Sequence, residues 1–167
     1  MECLNHILNG TMSSKIFGAA RRRGIVYGIG SNTDSDKWSS TWDFDGEVNH
    51  ENAAELFDLI AVELAKVING DISEADINAA KTHALGRHQM LAQTADQISA
   101  YYMRDYITTG TFEPMSEAPK MIEAIDKSTI VSLAREFMQS GISGLAAVGN
   151  MNKSVVDELW SRVLGAI

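Results

Sequence analysis

Four histidines, one cysteine and a run of three arginines carry the most distinctive chemistry in this chain of 167 residues. A catalytic zinc needs three protein ligands converging on one point. His6, His50, His83 and His88 do not supply them. His83 and His88 lie five apart, so on a helix they are separated by about 500° of rotation, leaving them about 140° apart around the axis. No carboxylate lies between them and no H-x-x-E-H occurs. The pattern predicts a surface His83 and a partly buried His88, with no partner motif for His6 or His50. A calcium loop fails as well. "TWDFDGEVNHEN" has Asp43, Asp45 and Gly46 at EF-hand offsets, but Thr41 stands first and Asn52 twelfth. Cys3 lacks a histidine-centred nucleophile signature, and no G-x-S-x-G is present, so Cys3 is expected to be a small buried side chain. The arginines Arg21, Arg22 and Arg23 sit at the end of a predicted helix, where each cation favours the negative pole by about 0.3–1 kcal/mol.

The elements that must position these residues follow from hydrophobic period. Leu4, Ile7, Leu8, Met12, Ile16, Phe17 and Ala20 recur at helical spacing, broken at Asn9-Gly10, and predict a helix over 12–23. "GIVYGIG" (24–30) predicts a strand and "SNTDSDK" a turn. In "WSSTWDFDGEV", Trp38, Trp42, Phe44 and Val48 alternate with Thr41, Asp43, Asp45 and Glu47, as in a half-buried antiparallel strand. The carboxylates are its solvated face. Ala53, Leu56, Phe57, Ile60, Leu64, Val67 and Ile68 form a helical stripe closed by Asn69-Gly70. "SEAD" at 73–76 opens another helix through Ile77, Ala80, Ala84, His88 and Leu91, and Thr94 with Gln97 caps the next. Short helices are expected at 117–125 and 128–139, then "GISGLAAVGN" as an inner strand. A closing amphipathic helix buries Val155, Val156, Leu159, Trp160 and Val163. Glycines 10, 24, 28 and 30 read as points where a helix or strand breaks or bulges.

These elements predict an α+β fold, a two-layer sandwich whose mostly antiparallel sheet is covered on one face by helices. Three strands are few for so many helices. Further strands are expected upstream of Met1 or from a neighbouring molecule, and self-association through an open sheet edge follows. The entry straight into a helix likewise suggests a piece of something longer.

Apolar residues make up 45% of the chain, enough for one domain with a core. The net charge of -8 and pI near 4.9 argue against nucleic acid as a partner. No window is apolar enough to span a membrane, and no signal peptide opens the chain. One cysteine leaves the compartment open, cytoplasmic or periplasmic.

The runs "LNHILNGTMSSKIFGAARRRGIVYGI", "ENAAELFDLIAVELAKVINGDISEADINAAKTHALG", "SAYYMRDYITTG" and "LAAVGN" resemble, in order and spacing, the pitrilysin/insulinase family of zinc metallopeptidases, which includes mitochondrial-processing-peptidase-like proteins. The resemblance runs along nearly all of the chain. It implies that residues 1–167 are a single α+β domain, the one following the zinc-binding domain or its counterpart in a half that lacks the ligands. Zinc is then expected in the complete enzyme and not in this chain, which alone should be inactive. The partners implied are a peptide substrate and the zinc-bearing domain or subunit.

In active members of that family, an arginine on the turn and a tyrosine on the following strand reach into the zinc site of the other half. The arginine holds the peptide backbone, and the tyrosine hydroxyl donates to the substrate carbonyl or oxyanion. Tyr27 matches the tyrosine through "RGIVY", and Arg21 best matches the arginine. The turn is one residue shorter than usual, so Arg22 competes for the same place. Two functions stand open: a substrate-chamber domain using Arg21, Arg22 and Tyr27, and a non-catalytic assembly domain of the same family.

Overall fold

The computed structural model describes residues 1–167, except for the Ser140 side chain. The elements run α1 (Glu2–Asn9), α2 (Phe17–Arg22), β1 (Val26–Ser35), β2 (Ser40–Val48), a 3-10 turn (His50–Asn52), α3 (Ala53–Ile68), α4 (Glu74–Met90), α5 (Ala95–Thr109), α6 (Ala118–Ala124), α7 (Lys127–Ser140) and α8 (Lys153–Leu164). β1 and β2 form an antiparallel two-stranded sheet. This is the expected α+β class, with a smaller sheet.

The first helix breaks at Asn9-Gly10 as its sequence predicts, but the chain regains a helix at Phe17 rather than at residue 12. Residues 14–16 are occupied in satisfying the open end of α1. Ser14 Oγ donates to the His6 carbonyl at 2.6 Å, while the backbone N–H groups of Lys15 and Ile16 donate to Ile7 and Leu8. These are the carbonyls that a helix end leaves without intrahelical partners. β1 is longer than "GIVYGIG". It continues through Asn32 and Asp34, whose polar side chains fit an exposed face, with Asn32 Nδ2 donating to Asp43 across the pair. The turn shifts to residues 36–39, where Asp36 Oδ1 accepts from the N–H groups of Trp38 and Ser39. Trp38 therefore leaves the strand and is exposed, against expectation.

The main core joins α1, α3, α4, α7 and α8 through Leu4, Leu8, Ile16, Val67, Ile77, Ala80 and Ala134, and includes the buried Cys3. Trp42 and Phe44 lay the inner face of the hairpin on this core. A smaller cluster of Ala20, Ile25, Val26, Leu56 and Leu59 ties the α2–β1 junction to α3. Both predicted caps form: Ser73 with Asp76 opens α4, and Thr94 with Gln97 opens α5.

Three further expectations fail. Residues 142–148 are not an inner strand but an exposed segment without regular structure, and the sheet consists of β1 and β2 alone. Leu91 and Val155 are exposed although each continues the buried spacing of its helix: Leu91 lies just past the end of α4, and Val155 in the first turn of α8. His83 is half-buried, because its ring stacks on His6 of α1 with centroids 4.2 Å apart.

Candidate functional site

The arginine turn is built by a backbone motif that requires its glycine. Arg23 ends α2, Gly24 takes φ +70°, the Gly24 N–H donates to the Arg21 carbonyl, and the Ile25 N–H reaches back to Ala20. That double return satisfies the last carbonyls of α2 and turns the chain sharply into β1. The left-handed conformation suits glycine, which has no Cβ to clash. Ile25 and Val26 are then buried against α3, so the start of β1 is fixed on the core.

One residue later the strand bulges. Val26 pairs with Val48 and Ile29 with Gly46, so Tyr27 and Gly28 together oppose only Glu47. A bulge of this kind bends a strand and re-aims the extra side chain. Tyr27 points away from the core, 86% exposed, and its hydroxyl is open to solvent. It does not face the helices as an ordinary core aromatic would. Asn9 braces the far side of the bulge: it is buried at the end of α1, and its Nδ2 donates to the Ile29 carbonyl at 3.0 Å.

The three arginines have three different partners. The Arg21 guanidinium lies over the Tyr27 ring, 4.5 Å from its centroid. At an exposed site such a cation–π contact contributes about 0.5–1 kcal/mol. Arg22 Nη1 donates to the Met12 carbonyl at 3.4 Å, folding the guanidinium back over the turn that precedes α2. Arg23 pairs with Glu55 of α3 at 3.5 Å. Arg21 is thus the arginine brought to Tyr27, and the pair presents five N–H donors and one phenol hydroxyl on the same surface. Around it the outer face of the hairpin carries exposed Asp43, Asp45 and Glu47.

Among the described residues no three His, Cys, Asp or Glu side chains are grouped to hold a metal. His6 and His83 come together, but as rings stacked at 27°, with no carboxylate or third histidine joining them. This is not a zinc centre. His88 is held by the Met115 carbonyl at 2.9 Å.

Two features of the site were not read from sequence. The brace by Asn9 had a signal, since an asparagine ended an apolar run, but it looked only like a helix stop. The His6–His83 stack joins residues 77 positions apart on different helices and leaves no local pattern.

Residues 1–83 match the family model described as the Peptidase M16 inactive domain. Cytochrome b-c1 complex subunit 2, mitochondrial, of Mus musculus is 26% identical over 108 residues, 64% of this chain and 24% of that protein. Among solved structures, a conserved protein from Enterococcus faecalis V583 superposes with a TM-score of 0.67 at 18% identity, covering 80% of this chain and 31% of that one. A protease from Helicobacter pylori gives 0.63 at 15%, covering 81% and 33%. Complex III2 from Candida albicans gives 0.66 at 14%, covering 80% and 34%. The chain thus spans 24% of the curated relative and about a third of these solved chains. At these identities the structural likeness is one of fold.

Proposed function

Over residues 1–83 this chain belongs to the peptidase M16 family as a domain of the inactive type, and we propose that it forms a wall of a peptide chamber whose zinc is bound by another domain or subunit. The observation that carries this reading is the Arg21–Tyr27 pair, held outward by a bulge on a strand anchored to the core. In this role Arg21 binds a peptide carbonyl before reaction, because a guanidinium offers several fixed donors. The Tyr27 hydroxyl donates to the oxyanion as charge develops on the scissile carbonyl, and a donor aimed at that position lowers the barrier. No metal chemistry is assigned to this chain, whose own histidines do not converge.

The test uses the assembly of this chain with its zinc-bearing partner. Tyr27→Phe keeps the ring under Arg21 and removes only the hydroxyl, so kcat should fall by about 10²- to 10³-fold with stability unchanged. Arg21→Ala should raise KM as well as lower kcat. Unchanged peptidase kinetics in Tyr27→Phe, Arg21→Ala and Arg22→Ala alike would refute the chamber role.

A second reading has its own support, the similarity to cytochrome b-c1 complex subunit 2. On that reading the domain serves assembly, and its partner subunits carry no zinc ligands. An H-x-x-E-H helix in the partner favours the chamber; a partner without one favours assembly.

A further inference from the structure

α1 packs against both the hairpin and α4. Asn5 and Asn9 lie one turn apart on it, and each holds one strand. Asn5 Oδ1 accepts from the Trp42 indole N–H of β2 at 2.8 Å, and Asn9 Nδ2 donates to the Ile29 carbonyl of β1 at 3.0 Å. Ile29 is the paired residue that closes the Tyr27 bulge. Toward α4, α1 presents His6, whose ring stacks on His83 with centroids 4.2 Å apart. His6 Nδ1 is buried without a partner among the described residues, and Gly10 closes on it so tightly that a Cβ there would stand 2.9 Å away. A neutral imidazole can leave one nitrogen bare, but in the imidazolium both nitrogens are donors. The stacked arrangement therefore has no acceptor for a second His6 proton.

We propose that the His6–His83 pair is an acid-operated switch on the Tyr27 site: protonation separates the rings, α1 shifts from α4, and the Asn5 and Asn9 contacts that fix the bulge loosen. The inference rests on the chamber reading for its consequence, withdrawal of Tyr27 from the peptide, and not for the movement itself. Most other charges on α1 and the elements packed against it are engaged elsewhere. Glu2 pairs with Arg87 of α4 at 3.1 Å, and Lys15, on the connection to α2, pairs with Asp76 of α4 at 3.0 Å. Lys81 of α4 donates to the Glu123 carbonyl, Arg135 of α7 to the Ile68 carbonyl, and Asp34 of β1 pairs with Arg104. The arginines of α2 turn to Tyr27, Met12 and Glu55. Glu74 of α4 and Lys127 and Glu136 of α7 are exposed. Cys3, one turn before His6, is buried, which pushes its thiol up and keeps it neutral. Burial first, and the His83 ring second, push His6 below its ordinary 6.5. The separated state is free of both, so it gains on the stacked state as pH falls below 6.5, by up to about tenfold per pH unit.

NMR of the isotope-labelled chain from about pH 8 to 5 tests the switch without peptide or zinc. The Trp42 indole N–H reads the Asn5 contact, and the Arg21 side-chain protons, shifted by the ring current of Tyr27, read the aim of the site. Both signals should move together with those of the His6 ring, with a midpoint below 6.5. His6→Phe keeps a flat ring on His83 and carries no proton, so both signals should stay fixed across the range. His83→Phe leaves the His6 proton and removes the neighbouring charge, which should raise the common midpoint toward 6.5. Signals fixed in the parent chain while His6 titrates would overturn the proposal. So would signals that titrate unchanged in His6→Phe, or a midpoint unmoved in His83→Phe. In the zinc-bearing assembly, the ratio of parent to His6→Phe kcat should fall by about tenfold between about pH 7.5 and 5. A constant ratio beside moving NMR signals would count against the chamber role and leave the switch standing.

Discussion

Replacing Asn9 tests whether the end of α1 sets the geometry of the strand that carries Tyr27. Asn9 is 4% exposed, and its Nδ2 donates to the Ile29 carbonyl, the first paired residue beyond the bulge. Its Oδ1 is buried without a partner. In Asn9→Ala the Ile29 carbonyl loses its donor at a half-buried position, a cost of about 1–3 kcal/mol. Removal of the orphaned Oδ1 returns part of that, so the net loss should be about 1–2 kcal/mol. Asn9→Asp is more severe at neutral pH: an ionised carboxylate cannot donate to the carbonyl, and burial disfavours its charge, which should cost about 3 kcal/mol or more. The folded state holds that carboxyl protonated to higher pH than the unfolded state does. Lowering the pH through the carboxylate range should therefore recover stability in Asn9→Asp, and not in Asn9→Ala. Urea unfolding at 25 °C, at pH 7 and again in mild acid, measures both. A loss below about 0.5 kcal/mol for Asn9→Ala, or equal losses for the two variants at pH 7, would refute the brace.

Two pH-dependent outcomes follow from other residues. Burial pushes His6 below its ordinary value of 6.5, and the stacked His83 pushes it the same way. The unfolded chain then binds more protons as pH falls below 6.5, so stability should decline through that range. His6→Gln should flatten the decline in melts between pH 8 and 5; identical slopes would exclude the stacked pair as its source. At the start of α7, the Asp126 carboxylate accepts from the Thr129 N–H at 2.8 Å, and this bond with those of the Thr129 and Ser128 hydroxyls holds its pKa down to about 2 from 3.8. The cap is complete above 3.8 and is lost as pH falls through about 2. Asp126→Ala should thus lower the melting temperature at pH 7, with the difference from the parent chain closing near pH 2.

The helices were legible because their signals are local. Ser73 with Asp76 and Thr94 with Gln97 announce helix starts within four residues, and Gly70 and Gly110 end helices in the left-handed conformation that glycine favours. The strands were harder, because a strand is defined by its partner. "SNTD" reads as a turn by composition, yet it extends β1 because β2 supplies the ladder and water supplies the outer face. "GLAAV" reads as a strand, yet it takes no regular structure, and the sheet consists of β1 and β2 alone. Identical backbone chemistry gives opposite outcomes according to what lies alongside.

The candidate site shows the same limit more sharply. Arg21, Arg22 and Arg23 are adjacent in sequence and chemically identical, and nothing local ranks them. α2 fans them out by about 100° per residue, and each meets a different neighbour: the Tyr27 ring, the Met12 carbonyl and the Glu55 carboxylate. Which one meets Tyr27 depends on the Gly24 turn and on the bulge. The bulge itself exists only as a mismatch in count, three residues from Val26 to Ile29 against two from Val48 to Gly46. The extra residue in β1 re-aims Tyr27, and Arg21 covers its ring. The bulge leaves no mark in one sequence, and it sets the geometry on which the proposed peptide contact depends.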